Sequence, residues 1–154
     1  MTRYLFPDCK SYLVSHMSDG RTSRPLILIR QRDTRLTADF ATLETITNQL
    51  SNAQLPQYLE SVFNLISEVN KYWQSMEPWK IDTSSSRRDT VVYVALESCR
   101  LVAISLIPVI PEASRTLLDG LGIKESRRRW QDLQFGTKEA GRQLGVTRPL
   151  FPKT

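Results

Sequence analysis

Histidine and cysteine are scarce in this sequence of 154 residues, which argues against several kinds of metal and catalytic site. His16 is the one histidine, and the two cysteines, Cys9 and Cys99, lie far apart with no Cys-x-x-Cys pair. A structural zinc site needs several such ligands, and a Ser-His-Asp triad needs a histidine beside its nucleophile. We therefore predict no metal site and no catalytic residue in this chain.

The sequence also lacks an uninterrupted hydrophobic run long enough to cross a membrane. Its most apolar stretch, residues 91–110, contains Glu97 and Arg100 near the middle and Pro108 near the end. These residues are costly in lipid, so a buried core helix explains the stretch better. Because Glu97 and Arg100 are three residues apart, they are predicted to form a salt bridge within the bundle. No membrane partner is expected.

Basic residues outnumber acidic ones, and the excess is concentrated near the N-terminus. The net charge is +5, and residues 1–37 alone carry seven Lys or Arg against three Asp. Such an excess suits an anionic partner, most commonly a nucleic acid, although it also suits plain solubility. Residues 1–37 show no sustained period, so we predict an irregular basic arm followed by one domain over residues 38–154. The N-terminus shows no secretory signal and no clear mitochondrial targeting peptide.

The hydrophobic pattern of residues 38–154 predicts an all-α fold, an antiparallel helical bundle with an irregular C-terminal tail. Four helices are predicted, from about Thr37 to Leu50, from Pro56 to just before Pro78, over residues 89–107 and over residues 112–119. The first is predicted to bury Phe40, Leu43, Ile46 and Leu50. The second is predicted to bury Leu59, Val62, Phe63, Ile66, Val69, Trp73 and Met76. The third is predicted to bury Val91, Val94, Ala95, Cys99, Val102, Ala103 and Leu106.

Prolines and glycines mark the ends of these helices. Thr37 or Asp39 can cap the first helix, and Pro56 suits the first turn of the second. Pro108 ends the third helix, Pro111 starts the fourth, and Gly120 and Gly122 are candidates for its C-terminal cap. The stiff apolar end of the chain, residues 149–152, is expected to pack back onto the bundle.

Five short segments of the chain are informative when they are taken together and in order. They are residues 68–72 (Glu-Val-Asn-Lys-Tyr), 77–80 (Glu-Pro-Trp-Lys), 95–100 (Ala-Leu-Glu-Ser-Cys-Arg), 106–112 (Leu-Ile-Pro-Val-Ile-Pro-Glu) and 150–153 (Leu-Phe-Pro-Lys). In these segments and their order the chain resembles the helical anticodon-binding domain of methionyl-tRNA synthetases, of the mitochondrial or bacterial-like type. Two-proline hinges also occur in the synthetases for valine, isoleucine and leucine, so an anticodon domain of one of those enzymes is an alternative.

The resemblance implies RNA-binding roles around the Glu-Pro-Trp-Lys segment. In the family this loop carries a tryptophan for the anticodon, so Trp79 is predicted to stack on a base. Asn70, Tyr72 and Pro78 are predicted to position the loop. The candidate phosphate contacts are Lys80, Arg87, Arg88 and the cluster Arg127, Arg128 and Arg129, which precedes Trp130. For each cation the alternative is a solvated surface charge, and for Trp79 it is an ordinary core tryptophan, as predicted for Trp73.

The sequence departs from the family in two respects. The His-Ile-Gly-His and Lys-Met-Ser-Lys-Ser type signatures of the catalytic domain are absent, so ATP and methionine are not expected to bind this chain. The family's first bundle helix carries an asparagine and an arginine that help to read the anticodon. Residues 12–16 resemble that helix only weakly, and His16 stands where the arginine is expected. The partners expected are a methionine-specific tRNA and a catalytic synthetase domain or subunit, but not DNA. The compartment expected is the mitochondrial matrix or the cytoplasm. The alternative is a non-catalytic helical scaffold for protein interactions, or a relic fragment that retains the bundle fold without binding RNA.

Overall fold

Four α-helices make up most of the part of the chain that the structure describes. The structure, a computed structural model, describes residues 42–136 and residue 144. The helices are α1 (Thr42–Ser51), α2 (Leu55–Met76), α3 (Ser86–Leu106) and α4 (Pro111–Gly120), with short 3₁₀ turns at Pro78–Lys80, Glu125–Arg127 and Trp130–Asp132. Within these residues there is no strand, and each helix packs against the next along the chain. The all-α bundle predicted from the sequence is confirmed.

Several sequence predictions fall outside the described residues. They concern the arm over residues 1–37, Phe40, the caps Thr37 and Asp39, and the C-terminal segment 149–152. In α1, Leu43 and Ile46 are buried and Leu50 packs at the edge of the core, as predicted. No helix within the described residues is long and apolar enough to span a bilayer.

Helix α2 has the predicted limits, but its buried face is rotated from the predicted one. Pro56 lies in the first turn, and the helix ends before Pro78 because a proline disfavours helical geometry in the preceding residue. The buried residues are Tyr58, Val62, Leu65, Val69, Tyr72 and Trp73. Phe63 is 59% exposed, so its placement in the core was wrong. Successive residues of a helix turn by about 100°, and at that spacing Phe63 falls outside the arc that these six buried residues occupy.

Helix α3 lies at the centre of the bundle and is buried on almost every side. It starts at Ser86, three residues before the predicted start, because the Ser85 hydroxyl accepts a hydrogen bond from the Arg87 backbone N–H at 3.3 Å. Leu101 and Ile104 are buried although they lie off the predicted apolar face, and Cys99 is only partly buried. A helix that is buried all round has no polar stripe to reveal its orientation, so the predicted face was too narrow.

Glycine at position 122 ends α4. Gly122 has a φ of 67°, in the left-handed region that glycine adopts without strain. The Ile123 backbone N–H donates to the Leu118 carbonyl at 2.9 Å, and the Gly122 N–H donates to Asp119, which is the pattern of a Schellman cap. Gly120 is the last residue of the helix itself. Of the two glycines predicted as caps, Gly122 therefore has the capping conformation.

The chain after α4 is held against α3 by a buried ion pair. The Arg100 guanidinium donates to both carboxylate oxygens of Glu97 at 2.9 Å, which confirms the predicted salt bridge. Arg100 also donates to the backbone carbonyls of Asp132 (2.8 Å) and Gln134 (2.7 Å), and the Gly136 N–H donates to Glu97 at 3.0 Å. The pair thus fixes residues 132–136, and with them the position of Trp130.

Candidate RNA-binding surface

The turn that carries Trp79 begins with an unusual backbone conformation at Glu77. Glu77 has φ 42° and ψ 56°, which is left-handed and uncommon for a residue with a side chain. Its N–H donates to the Trp73 carbonyl at 3.3 Å, and its own carbonyl accepts from the Lys80 N–H at 2.8 Å. The chain therefore reverses sharply after α2, and Pro78 is fully buried beneath the turn. Such strained residues persist where surrounding packing holds them, and they cluster at functional sites.

Trp79 presents an open ring on a fixed support. Its ring centroid lies 6.5 Å from that of Trp73, and the two planes are tilted by 57°. Trp73 is 5% exposed and belongs to the core, as predicted, whereas Trp79 is 42% exposed. The buried indole of Trp73 thus supports one side of Trp79, and Trp79 remains partly accessible. An accessible ring that is already ordered loses little conformational entropy when a flat aromatic group stacks on it.

The serine-rich connection beside this turn is also ordered. Asp82 accepts hydrogen bonds from the Ser84 backbone N–H and from the Ser84 hydroxyl, both at 2.8 Å. These bonds, the backbone one first, hold the pKa of Asp82 below its usual value. Together with the Ser85 cap, they fix the path from the Trp79 turn into α3.

The three cations predicted near Trp79 are placed very differently. Lys80 is exposed and pairs with Glu77 at 2.8 Å across the turn. Arg87 is half-buried, and its Nη2 lies 3.2 Å from the Met76 sulfur, at the end of α2 where the turn begins. Arg88 is only 3% exposed, so in this structure its guanidinium is not available at the surface. Of the three, Lys80 within the turn and Arg87 at the end of α2 are the cations whose side chains are at least partly accessible.

Of the three residues predicted to position the loop, Pro78 is part of the turn itself, and Asn70 and Tyr72 lie on α2 before it. Tyr72 and Pro78 are buried in the core below the turn, and Asn70 is partly buried on α2. The role of Asn70 and Tyr72 in positioning the loop stays a prediction. Sequence reasoning missed the left-handed conformation of Glu77 and the contact of Met76 with Arg87, since neither residue type signals such a role.

The basic cluster after α4 divides into one internal and two surface arginines. Arg128 donates to the Ile123 carbonyl, at 2.9 Å from Nε, and pairs with Asp119. It therefore fastens the chain to the end of α4. Arg127 and Arg129 are exposed, and Trp130 is 37% exposed. Asp132 accepts from the Arg129 N–H at 3.1 Å and stabilises the 3₁₀ turn that begins at Trp130.

Among the described residues, acidic, cysteine and histidine side chains do not gather into a metal site. Within residues 42–136 and at residue 144 no group of three or more such side chains is placed to hold a metal ion. The surface presents an exposed indole with cations nearby, which suits recognition of an unpaired nucleic-acid base.

The described residues form an all-helical bundle with an exposed indole at a helix end, an arrangement that suits a nucleic-acid-binding module. Comparisons with known proteins identify the family. Residues 28–154 match the family model described as the anticodon binding domain of methionyl tRNA ligase. The chain belongs to this family of anticodon-binding domains. The alternative of a valine, isoleucine or leucine enzyme finds no support in this match.

Individual relatives agree with the family match. The methionine–tRNA ligase of Brucella suis is 28% identical over 142 residues, which cover 92% of this chain and 28% of that protein. The methionine–tRNA ligase of Rhizobium meliloti is 32% identical over 120 residues, covering 77% of this chain and 23% of that protein. The chain thus spans about a quarter of the length of these curated relatives.

Solved structures show the same fold. Mycobacterium tuberculosis methionyl-tRNA synthetase in its free state superimposes with a TM-score of 0.78 at 24% identity, covering 97% of this chain and 32% of that one. The same enzyme in complex with methionyl-adenylate gives a TM-score of 0.78 at 26% identity, covering 92% of this chain and 29% of that one.

Proposed function

We propose that this chain reads the anticodon of a methionine-specific tRNA by stacking an anticodon base on Trp79. The observation that carries the proposal is the position of Trp79, half exposed at the end of α2 and supported by the buried Trp73 ring 6.5 Å away. Stacking of one base on an aromatic side chain contributes on the order of 1–3 kcal/mol. Lys80 and Arg87, which lie beside the turn, supply positive charge for the neighbouring phosphates.

In this proposal, the attachment of methionine to the tRNA is performed by a catalytic domain or subunit outside this chain. The matched relatives are methionine–tRNA ligases, and the chain spans 28% of the length of the Brucella suis protein. We propose that the chain acts with a catalytic synthetase domain or subunit, which binds ATP and methionine and attaches methionine to the bound tRNA. Adding candidate catalytic domains to the chain and measuring charging of methionine tRNA tests this part separately from RNA binding.

The direct experiment compares tRNA binding by the natural chain and by Trp79 variants. Initiator and elongator methionine tRNA are titrated beside a valine tRNA with the full chain, Trp79→Ala, Trp79→Phe and Phe63→Ala. We expect the methionine tRNAs to bind more tightly than the valine tRNA. Binding should weaken about tenfold or more in Trp79→Ala, because a stacked base is lost. Trp79→Phe should keep part of the affinity.

Phe63 supplies the matched control. Its ring is 59% exposed on α2, so Phe63→Ala removes an accessible aromatic side chain away from the proposed site. Affinity should be unchanged in this variant. Equal binding of all three tRNAs, unaffected by Trp79→Ala, would mean that the chain does not read anticodons through Trp79.

A protein-interaction scaffold is the second candidate, and one observation favours it. Leu55 and Phe63 expose 47% and 59% of their surface on α2, and exposed apolar surface is where protein partners bind. Salt separates the two functions, since RNA binding through phosphates weakens steeply as salt is raised, whereas an apolar contact hardly changes. Binding to a partner that is insensitive to salt and lost in Phe63→Ala would favour the scaffold.

The mitochondrial matrix is the compartment that we propose, on the resemblance of residues 95–100 to mitochondrial members of the family. Fractionation of cells that express the tagged full-length gene product tests it. Recovery of the protein in the cytoplasmic fraction alone would reject it.

A further inference from the structure

Glu77 is an acidic residue at a position where local physical chemistry disfavours one. It is the C-terminal cap of α2, with φ 42° and ψ 56°. Helices that end in this left-handed conformation usually have glycine or asparagine there. The C-terminal end of a helix also carries partial negative charge, which repels a carboxylate. Both effects oppose a glutamate at this position, so the stability of the helix end does not account for it.

The Glu77 carboxylate lies against the cation of the turn that carries Trp79. Its Oε1 is 2.8 Å from the Lys80 Nζ, and the two side chains are 45% and 65% exposed. An exposed ion pair of this kind contributes little to stability, because water screens the charges. The contact therefore matters less for folding than for the charge that the turn presents to a ligand.

Positive charge is not in excess around Trp79. Residues 77–87 contain two cations and two acids, namely Lys80, Arg87, Glu77 and Asp82. The Asp82 carboxylate is bonded to Ser84 within its own loop, whereas Glu77 reaches across the turn to a cation. Binding of RNA without regard to sequence depends almost entirely on the neutralisation of phosphates by cations. A cation that a carboxylate already neutralises contributes little to such binding.

We infer that Glu77 masks the charge of Lys80 and thereby limits the affinity of the Trp79 turn for RNA phosphates of any sequence. The inference rests on the proposed function, because it concerns the same site. A phosphate reaches Lys80 only by displacing the Glu77 carboxylate, which also repels it. Stacking on Trp79 needs no charge, so stacking supplies a larger share of the binding energy at this turn. Glu77 is thus a positioning residue that acts through Lys80.

A double-mutant cycle on the full chain tests whether Glu77 acts through Lys80. The natural chain is compared with Glu77→Gln, with Lys80→Gln and with the variant that carries both changes. The probes are two single-stranded RNA oligonucleotides, one with the anticodon-loop sequence of methionine tRNA and one with the same nucleotides in scrambled order. The affinity for each oligonucleotide is measured at several salt concentrations.

Removing the carboxylate should strengthen RNA binding. Glu77→Gln should bind both oligonucleotides about fivefold more tightly at about 0.1 M salt, since one further phosphate is neutralised. The slope of log affinity against log salt should become steeper by about 0.7, the value for one contact to a single strand. The gain should be equal for the two sequences, because phosphate contacts carry no sequence information. When Lys80→Gln is also present, Glu77→Gln should bring little gain, because the charge that it unmasks is gone.

A second glutamate–lysine pair on α2 supplies the matched control. Glu68 and Lys71 have the same spacing in the chain, an Oε1–Nζ distance of 2.6 Å and exposures of 44% and 72%. This pair lies within the helix, before the turn that carries Trp79. Glu68→Gln should therefore leave both affinities and both salt slopes unchanged. A gain as large as that in Glu77→Gln would mean that net charge alone governs binding, and the masking role would be rejected.

Three further results would overturn the masking role of Glu77. They are an unchanged affinity in Glu77→Gln, the same gain when Lys80 is replaced, and a gain confined to the loop sequence, which would indicate contact with a base. Failure of the proposed function is seen separately, as equal affinity of Trp79→Ala and the natural chain for the loop oligonucleotide. Absence of binding in every variant would reject both. Thermal unfolding shows that each variant is folded, and Glu77→Gln should unfold at no lower temperature, since it removes a negative charge from a helix C-terminus.

Discussion

Arg100 and Glu97 form a two-bonded ion pair inside the bundle, and both partners also bind the backbone of residues 132–136. Their side chains are 3% and 0% exposed. The pair is thus the link between the central helix and the segment that carries Trp130. Five hydrogen bonds meet at these two side chains, so each charge has several partners within the protein.

Removing one member of this pair is expected to destabilise the protein strongly. Glu97→Gln or Arg100→Met leaves the other charge buried, and such changes cost about 3–5 kcal/mol. The double change Glu97→Leu with Arg100→Met should cost less than the sum of the single changes, because no unpaired charge remains. The free energy of unfolding is measured by urea denaturation followed by circular dichroism.

Two further readouts make this prediction specific. Exchange of the Gly136 amide hydrogen should become faster in Glu97→Gln, since its acceptor at 3.0 Å is altered. Glu68→Gln, which breaks the exposed Glu68–Lys71 pair, should change stability by less than about 1 kcal/mol. If the buried and the exposed pair gave the same small effect, Glu97 and Arg100 would not anchor residues 132–136.

Stability should fall at alkaline pH because two tyrosines are held neutral in the folded protein. Burial raises the pKa of Tyr58 from 10.0 to about 12, and its hydroxyl donates to the Ser105 carbonyl on α3. Burial, followed by the negative charge of Glu97, raises the pKa of Tyr93 to about 12 as well. The folded state therefore binds these protons more tightly than the unfolded state. This stabilisation is complete below pH 10 and is lost as the pH rises towards 12.

Tyr58→Phe separates this effect from other alkaline changes. At pH 7 the variant should be less stable by about 1–2 kcal/mol, because the Ser105 carbonyl loses a buried donor. Above about pH 10, the ordinary pKa of a tyrosine, its stability should fall less steeply than that of the natural chain. Urea denaturation at a series of pH values gives both quantities, and parallel pH curves for the two proteins would contradict the assignment to Tyr58.

The two tryptophans in contact should differ sharply in their effect on stability. Trp73→Ala removes a ring from the core and is expected to cost about 3–5 kcal/mol. Trp79→Ala removes a ring that is 42% exposed, so it should cost no more than about 1.5 kcal/mol, the value of an aromatic pair. Denaturation midpoints of the two variants measure this difference. A loss of stability in Trp79→Ala as large as that in Trp73→Ala would indicate a structural role for Trp79.

Much of the fold and part of the site were predictable from local sequence signals. The limits of α2, the start of α4 at Pro111, the cap at Gly122 and the Glu97–Arg100 pair all follow from proline, glycine and residue spacing. These features depend on neighbours within a few positions, so the sequence is sufficient to predict them. The exposed Phe63 was not predictable in this way, because several apolar residues of α2 compete for one buried face.

The sequence by itself determined the helices, the family and the presence of an indole followed by cations. The tertiary structure alone decided which of these side chains a partner can reach. Trp73 and Trp79 are the same residue type six positions apart, yet one is in the core and the other at the surface. Arg88 is buried beside the half-buried Arg87, and Arg128 is used internally between two exposed arginines. The physical reason is that exposure depends on which distant elements pack over a residue, and residue type and spacing do not specify that packing.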